Sequence, residues 1–299
     1  MAIKEERKMK RLLLFVFVLV AVAALSFGTT YRIGLSLSTL NNPFFVTLRD
    51  GALDQAAELG VTVLVADAMD SPAKQLNDIE DLIQQGVDLI IVNPTDSDAI
   101  VTAVEQANRA GIPVITVDRG SSGGNVIAHI ASDNVAGGRM AGEFLAELLG
   151  GRGKVIELQG ILGTSAARDR GRGFAEAMAN YPGITVVARQ TANFNRAEGL
   201  MVMENLLQAH PDINGVFAQN DEMALGAIEA IKAAGLLDKI HVVGFDAVDD
   251  AVDAVERGEM AATVAQQPYE MGWLSVLKAY EYLETNTIYL PVDLRLVTK

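Results

Sequence analysis

Along most of its length the chain alternates short, uniformly apolar runs with segments of helical periodicity, and this alternation restricts the fold more than any other feature. "RIGLSLS" (32–38), "VTVLVAD" (61–67), "LIIVN" (89–93) and "PVITVD" (113–118) read as strands. Residues 43–59 read as a helix because Phe45, Leu48, Ala52, Ala56 and Leu59 recur at spacings of three and four. Residues 71–85 read the same way, with Gly86 as the C-cap, and a third helix is expected near 98–110. Strands this apolar are expected to be buried on both faces, in a parallel sheet covered by helices.

The series then repeats. "KVIELQG" (154–160), "TVVARQ" (185–190), "GVFAQN" (215–220), "IHVVGFD" (240–246) and "ATVAQQ" (262–267) alternate with expected helices near 166–180, 196–209, 221–234, 249–257 and 269–283, and the chain closes on "VDLRLV" (292–297). That is too many parallel strands for one sheet. A chain of 299 residues is long enough for two domains, so the expectation is an α/β fold of two doubly wound parallel-sheet lobes. The segment "VIAHIASDN" (126–134) is expected to cross between them as a strand.

The N-terminus departs from this pattern. Lys8, Lys10 and Arg11 precede an uncharged apolar run over 12–27, closed by the small residues Ala23, Ala24, Ser26 and Gly28. This describes a secretory signal peptide cleaved near Gly28; a retained anchor is the alternative, although the run is slightly short for a span. Glu5 and Glu6 interrupt the basic region, and "MKRLLLF" from Met9 makes a cleaner signal, so translation is expected to start there. A peptide covering 2–7 in the unprocessed precursor would contradict that start. The net charge of -14 repels phosphates and anionic lipid heads, which argues against nucleic-acid and membrane-surface partners. The absence of cysteine excludes disulfides, thiolate metal sites, a cysteine nucleophile and a lipidated N-terminal cysteine.

In open α/β sheets, ligands bind beyond the carboxyl ends of the strands. Those ends carry Ser38 to Phe45, Asn93, Thr95 and Asp96, Asp118 and Arg119, Arg168 and Arg170, Asn193 and Phe194, Asn220 and Asp221, Asp246, and Gln266 and Gln267. The mixture suits a sugar. Each hydroxyl both donates and accepts, so it wants an oxygen acceptor on one side and an N–H on the other, and C–H ring faces pack on aromatic rings. Asp118 and Asp246 offset Arg119 and Arg170, which favours an uncharged ligand. A single Asn or Asp at a strand end is ordinarily a turn former or helix cap, and Asn134, Asp221 and Asp249 are expected to be only that. Phe45 fits either a ligand contact or a core anchor.

Motifs for other chemistry are missing. "GRGFAE" (171–176) fails the dinucleotide glycine pattern at its last position, and Gly153-Lys154 is followed by Val155, which is not a P-loop. His129, His210 and His241 lack metal-ligand spacing, and no nucleophile elbow is present. No cofactor, no metal and no catalysis are expected. Asp118 and Asp246 make a poor acid/base pair, because a neighbouring Arg keeps each ionised.

"STLNNPFF" (38–45), "VNPTDSDA" (92–99), "IPVITVDR" (112–119), "HIASDN" (129–134), "KVIELQG" (154–160), "GTSAARDRG" (163–171), "LQAHPDI" (207–213), "VFAQNDEMALGA" (216–227), "VVGFD" (242–246) and "VDLRLV" together resemble the bacterial periplasmic D-ribose-binding proteins, over essentially the whole mature chain. The resemblance implies a type I periplasmic-binding fold: a signal peptide at 1–28, an N-terminal lobe of 29–132 plus 267–293, and a C-terminal lobe of 133–266 plus 294–299. It implies a three-stranded hinge near 131–133, 265–267 and 292–294. It also implies a monomer that closes over D-ribose and docks on an inner-membrane ATP-binding-cassette permease, and in some bacteria on a chemoreceptor. Carried over residue by residue, the implied ligand contacts are Ser38, Asn42, Phe44, Asn93, Asp118 and Arg119, with Phe45 beside the ring. The second lobe adds Arg170, Phe194, Asn220, Asp246 and Gln266. Departures fall at 150–153, 180–184 and 286–290, away from these positions. A receptor for a related sugar such as allose is an alternative. So is the effector-binding domain of a sugar-responsive transcriptional repressor, which would need a helix-turn-helix in place of the export signal.

Overall fold

The computed structural model describes residues 31–287 and the backbone of 295–298. The signal-like segment, the start at Met9 and the expected hinge strand at 292–294 lie outside the described residues. The first sheet contains β1 (Arg32–Leu37), β2 (Thr62–Asp67), β3 (Leu89–Val92), β4 (Val114–Val117) and β5 (Ala128–Ile130), all parallel, in the order β2-β1-β3-β4-β5. The second contains β6 (Arg152–Gln159), β7 (Gly183–Thr191), β8 (Gly215–Ala218), β9 (His241–Asp246), β10 (Ala262–Ala265) and β11 (Arg295–Thr298). Its order is β11-β10-β9-β8-β6-β7, parallel except for β11, which runs antiparallel to β10. Setting β11 aside, the two sheets share one winding order. Each reverses its winding direction after its second strand, so the switch point lies between the first and third strands and opens a crevice at their carboxyl ends.

Helices cover both faces of each sheet, as buried apolar strands require. In β3, Leu89 and Ile91 join one core cluster while Ile90 and Val92 join another on the opposite face. In β8, Val216 and Ala218 divide from Phe217 in the same way. The first lobe holds α1 (Pro43–Leu59), α2 (Pro72–Gln84) and α3 (Val101–Arg109). The second holds α4 (Asn134–Leu148), α5 (Ser165–Ala179), α6 (Arg196–Ala209), α7 (Asp221–Ala233) and α8 (Asp249–Glu256). The last helix, α9 (Pro268–Thr285), follows β10 of the second sheet yet packs on α1 and against β3, β4 and β5 of the first. The chain therefore crosses between the lobes after β5, after β10, and again before β11.

Helix starts follow from side chains. Asn42 Oδ1 accepts the Phe44 amide at 2.9 Å with Pro43 opening α1, and Gly60 closes it at φ 67. Ser71 caps α2 rather than belonging to it, and Gln85 ends it one residue before Gly86. Two strand expectations need correction. β2 is an edge strand, paired only with β1 and half-exposed, so its apolar residues are not buried on both faces. The crossing at 131–133 is not a strand: β5 stops at Ile130, and Asp133 already caps α4 through its bond to the Ala136 amide.

α1 and α9 approach backbone to backbone through glycines. A Cβ on Gly272 would lie 1.8 Å from the Leu48 carbonyl oxygen, and one on Gly51 would lie 2.1 Å from that of Tyr269. Gly272→Ala should destabilise the first lobe by about 1–3 kcal/mol or more, because backbone must move to admit the methyl. Urea unfolding of the ligand-free protein tests this; an unchanged midpoint would contradict the packing.

Candidate ligand-binding site

The carboxyl ends of both sheets face one small, nearly filled cavity. Its walls are Asn42, Phe44, Phe45, Asp118, Arg119, Ala166, Arg170, Phe194, Asn220, Asp246 and Gln266. Ten of the twelve residues expected at the site thus converge on one volume. The other two, Ser38 and Asn93, sit behind the wall and are fully buried. Asn93 Oδ1 accepts the Ser38 amide at 3.2 Å, and its Nδ2 donates to the Val117 carbonyl and to Asp118 Oδ2, each at 3.1 Å. Asn93 therefore aims Asp118 from behind.

In the first lobe, Phe44 and Phe45 meet edge to face, with ring centroids 5.2 Å apart at 88°. Both rings line the cavity and both belong to the apolar core, so Phe45 is a core residue that also borders the cavity. The Arg119 guanidinium lies 5.1 Å from the Phe45 centroid and 5.2 Å from that of Phe194 across the cleft. Its Nε is 3.7 Å from Asp118 Oδ2, and Nη1 donates to the Pro94 carbonyl at 3.3 Å. Burial lowers the Arg119 pKa, with Asp118 and Asp70 pulling it back up.

In the second lobe, Arg170 Nε donates to Asn134 Oδ1 at 2.8 Å and Nη1 donates to the Gln219 carbonyl at 2.7 Å. Arg170 also stacks on Phe245, 3.9 Å from the centroid, and sits 3.6 Å from Asp246 Oδ1. Gln266 Nε2 donates to that same oxygen at 2.7 Å. Burial raises the Asp246 pKa well above the ordinary carboxylate value, with Arg170 opposing the shift. Asn220 caps α7 through its bond to the Met223 amide and donates from Nδ2 to the Phe194 carbonyl at 3.4 Å. A Cβ on Gly160 would lie 2.0 Å from Phe194 Cζ, so glycine there is what admits the ring.

The bonds the protein makes to itself leave a pattern. They fall on Oδ2 of Asp118 and Oδ1 of Asp246, so one oxygen of each carboxylate has no partner among the described residues. Gln266 Oε1 is buried and also lacks a partner. Acceptors on both lobes, two guanidinium donors, balanced charge and three phenyl rings suit a neutral polyol. Among the described residues, no group of three or more His, Cys, Asp or Glu gathers in a way that could hold a metal ion.

Several residues have roles their positions in the sequence did not disclose. Asn134 holds Arg170, and the α4 cap is Asp133. Asp221 is fully buried, and the α7 cap is Asn220. Asp249 caps nothing, since α8 starts from Val248 without a side-chain bond. Ala166 enters the wall because a larger side chain there would occupy the cavity; a lone alanine in a helical stretch carries no such signal. Arg168 and Asn193 bond elsewhere, to the Gly163 carbonyl and to Glu198.

Asp221 also sets a pH dependence. Burial pushes its pKa up to about 6 from an ordinary 3.8, outweighing the hydrogen bonds it accepts. The native state then binds this proton more tightly than the unfolded chain, so its contribution to stability is fully present below the unfolded value and lost as pH rises through the folded one. Asp246 shifts in the same direction. On acidification from about pH 7 to about pH 4, wild type should gain about 2 kcal/mol that Asp221→Asn does not. Chemical denaturation across that range tests it; parallel profiles would contradict it.

The family described as "Periplasmic binding protein domain" matches residues 33–287. The chain is 52% identical over 269 residues to the ribose import binding protein RbsB of Haemophilus influenzae, covering 89% of this chain and 91% of that one. It is 39% identical over 249 residues to a D-apiose import binding protein of Actinobacillus succinogenes, covering 83% and 80%. A solved structure from the same species, an ABC transporter periplasmic solute-binding protein with bound D-allose, superposes with a TM-score of 0.84 at 35% identity, covering 90% of this chain and 97% of that one. With a doubly wound lobe on each side of a polar cavity and a family match across nearly all described residues, this chain belongs to the periplasmic-binding-protein family.

Proposed function

We propose that the chain binds D-ribose between its lobes in the periplasm and delivers it, unchanged, to an ATP-binding-cassette importer. The carrying observation is the pair of buried Asp–Arg couples, one from each lobe, framed by phenyl rings: Asp118–Arg119 and Arg170–Asp246. Ribose is favoured among monosaccharides because relatives at 51–52% identity from Haemophilus influenzae and Bacillus subtilis are ribose import binding proteins. The relative named for apiose and the structure holding allose stand at 39% and 35%.

The lobe division at 29–132 with 267–293 and 133–266 with 294–299 is supported by the split between the sheets and by the docking of α9 on α1. Cleavage near Gly28, a monomeric working unit and a chemoreceptor as a second receiver of the closed form belong to the same reading and rest on the resemblance.

The structure is closed. Three hydrogen bonds join the lobes beside the cavity without lining it. The Ser97 amide donates to the Gly163 carbonyl at 2.9 Å, the Ser165 amide to Ser97 Oγ at 3.1 Å, and the Gly120 amide to Ser165 Oγ at 2.8 Å. A ligand that touches both lobes binds this state better and shifts the open–closed equilibrium toward it.

Calorimetry with ribose, allose, glucose and galactose tests the assignment, and tighter binding of any hexose than of ribose would refute it. Arg170→Ala and Asp246→Ala should each weaken ribose binding by about 3 kcal/mol or more, roughly a hundredfold, because each leaves a buried charge unpaired. Gly163→Ala separates closure from contact. Its Cβ would lie 1.8 Å from Asp96 Oδ2, and Asp96 is pinned by Oδ1 bonds from the Asp98 and Ala99 amides. The variant should bind ribose at least about tenfold more weakly while unfolding like wild type; unaltered affinity would remove Ser97–Gly163 from the closing contacts.

A further inference from the structure

Two fully buried carboxylates near the cavity do not line it. Glu157, in β6, is paired: Arg189 Nε lies 2.9 Å away and Gln219 Nε2 lies 2.7 Å away. Asp221, in the first turn of α7, has no basic partner among the described residues. Its oxygens instead meet a turn on the next strand. Oδ1 accepts the Thr263 hydroxyl at 2.7 Å, and Oδ2 accepts the Val248 amide at 3.0 Å. Thr263 Oγ1 in turn accepts the Ala247 amide at 3.2 Å. Two side chains from two different elements thus hold both amides that follow Asp246.

That turn needs holding. Asp246 has φ 129 and Ala247 has φ 60, conformations that residues with a Cβ seldom adopt unless the surroundings enforce them. The backbone at Asp246 decides where its carboxylate points. Space for the hold is provided by Gly244 in β9, where a Cβ would lie 2.2 Å from Asp221 Oδ1. The first turn of α7, whose free amides favour negative charge, is a suitable seat for an unpaired carboxylate.

We propose that Asp221 and Thr263 are positioning residues for the bound sugar: together they clamp the Asp246–Val248 turn in its left-handed form and so aim the Asp246 carboxylate into the cavity. The clamp rests on the site reading given above, but it is built wholly within the second lobe, from α7, β9 and β10, so it persists whether the lobes are open or closed. Thr263 is at once a donor to Asp221 and an acceptor from Ala247. Valine abolishes both bonds at nearly the same volume, and serine keeps both. In Asp221→Asn, an NH₂ group must face either the Thr263 hydroxyl or the Val248 amide, each of which needs an acceptor there.

The test compares Thr263→Val and Thr263→Ser in the mature protein, by ribose calorimetry and by amide hydrogen exchange on the ligand-free form. Thr263→Val should bind ribose at least about tenfold more weakly, Thr263→Ser should return to within about threefold of wild type, and only the valine variant should exchange the Ala247 amide faster. A threonine that served only the lobe's stability would leave the ribose affinity of the folded valine variant unchanged. Valine binding like wild type, serine binding no better than valine, or an unaltered Ala247 amide would each overturn the proposal. Should the valine variant not fold, Thr263→Ala against Thr263→Ser makes the same comparison. Should wild type itself ignore ribose, the functional reading fails, and the clamp is decided by exchange alone.

Discussion

Two charge couples buried at the junction of two lobes govern the rest of this structure. Removing an ion from water costs several kcal/mol even after relaxation, and the partner's attraction offsets that only with good geometry and additional hydrogen bonds. Both couples have such support. Asn93 and the Pro94 carbonyl hold Asp118 and Arg119; Asn134, the Gln219 carbonyl and Gln266 hold Arg170 and Asp246. Phe45 and Phe194, beside the guanidiniums, keep the cavity apolar where it is not charged. The unshared carboxylate oxygens and the orphan Gln266 Oε1 then become the means of selection. A ligand that fails to reach them leaves them buried and unpaired, which is costlier than a missing contact in water.

Backbone geometry follows the same logic. Asp118, Phe194 and Asp246 all sit at strand ends with positive φ, at 61°, 59° and 129°. Each carries a cavity-facing group, and each is fastened from nearby. The Ile130 carbonyl accepts the Asp118 amide, Asn220 donates to the Phe194 carbonyl, and the Gln266 amide donates to the Asp246 carbonyl. Strain concentrated at such positions persists only where the surroundings over-determine it. The lobes are joined by contacts of another kind, the short polar set around Ser97 and Ser165, which can part and re-form without disturbing either sheet.

The fold was legible because its signals are local. Apolar runs such as Leu89–Val92 and helical spacings such as Phe45, Leu48, Ala52 depend on near neighbours alone, and the ends of α1 follow from Asn42 and Gly60. The strand-end rule also located ten of the eleven wall residues. It could not rank depth. Asn93 lies at a strand end like Asp118, yet one stands behind the other, because only the packed sheet shows which side chain the cavity reaches. Asn134 and Asp221 read as caps since caps are what Asn and Asp at helix starts usually are; their true partners, Arg170 and Thr263, are 36 and 42 residues away. Whether β2 would be central or an edge was equally hidden, because strand order is decided by pairing across the sheet.

The central claim is that both lobes grip one sugar through these couples. A crystal structure of the mature protein grown with D-ribose tests it most directly. The account predicts one ribose ring between the Phe44–Phe45 pair and Phe194, with its hydroxyls on Asp118, Arg119, Arg170 and Asp246 and the lobes closed. Ribose bound elsewhere, or a cavity left empty between closed lobes at saturating sugar, would contradict it.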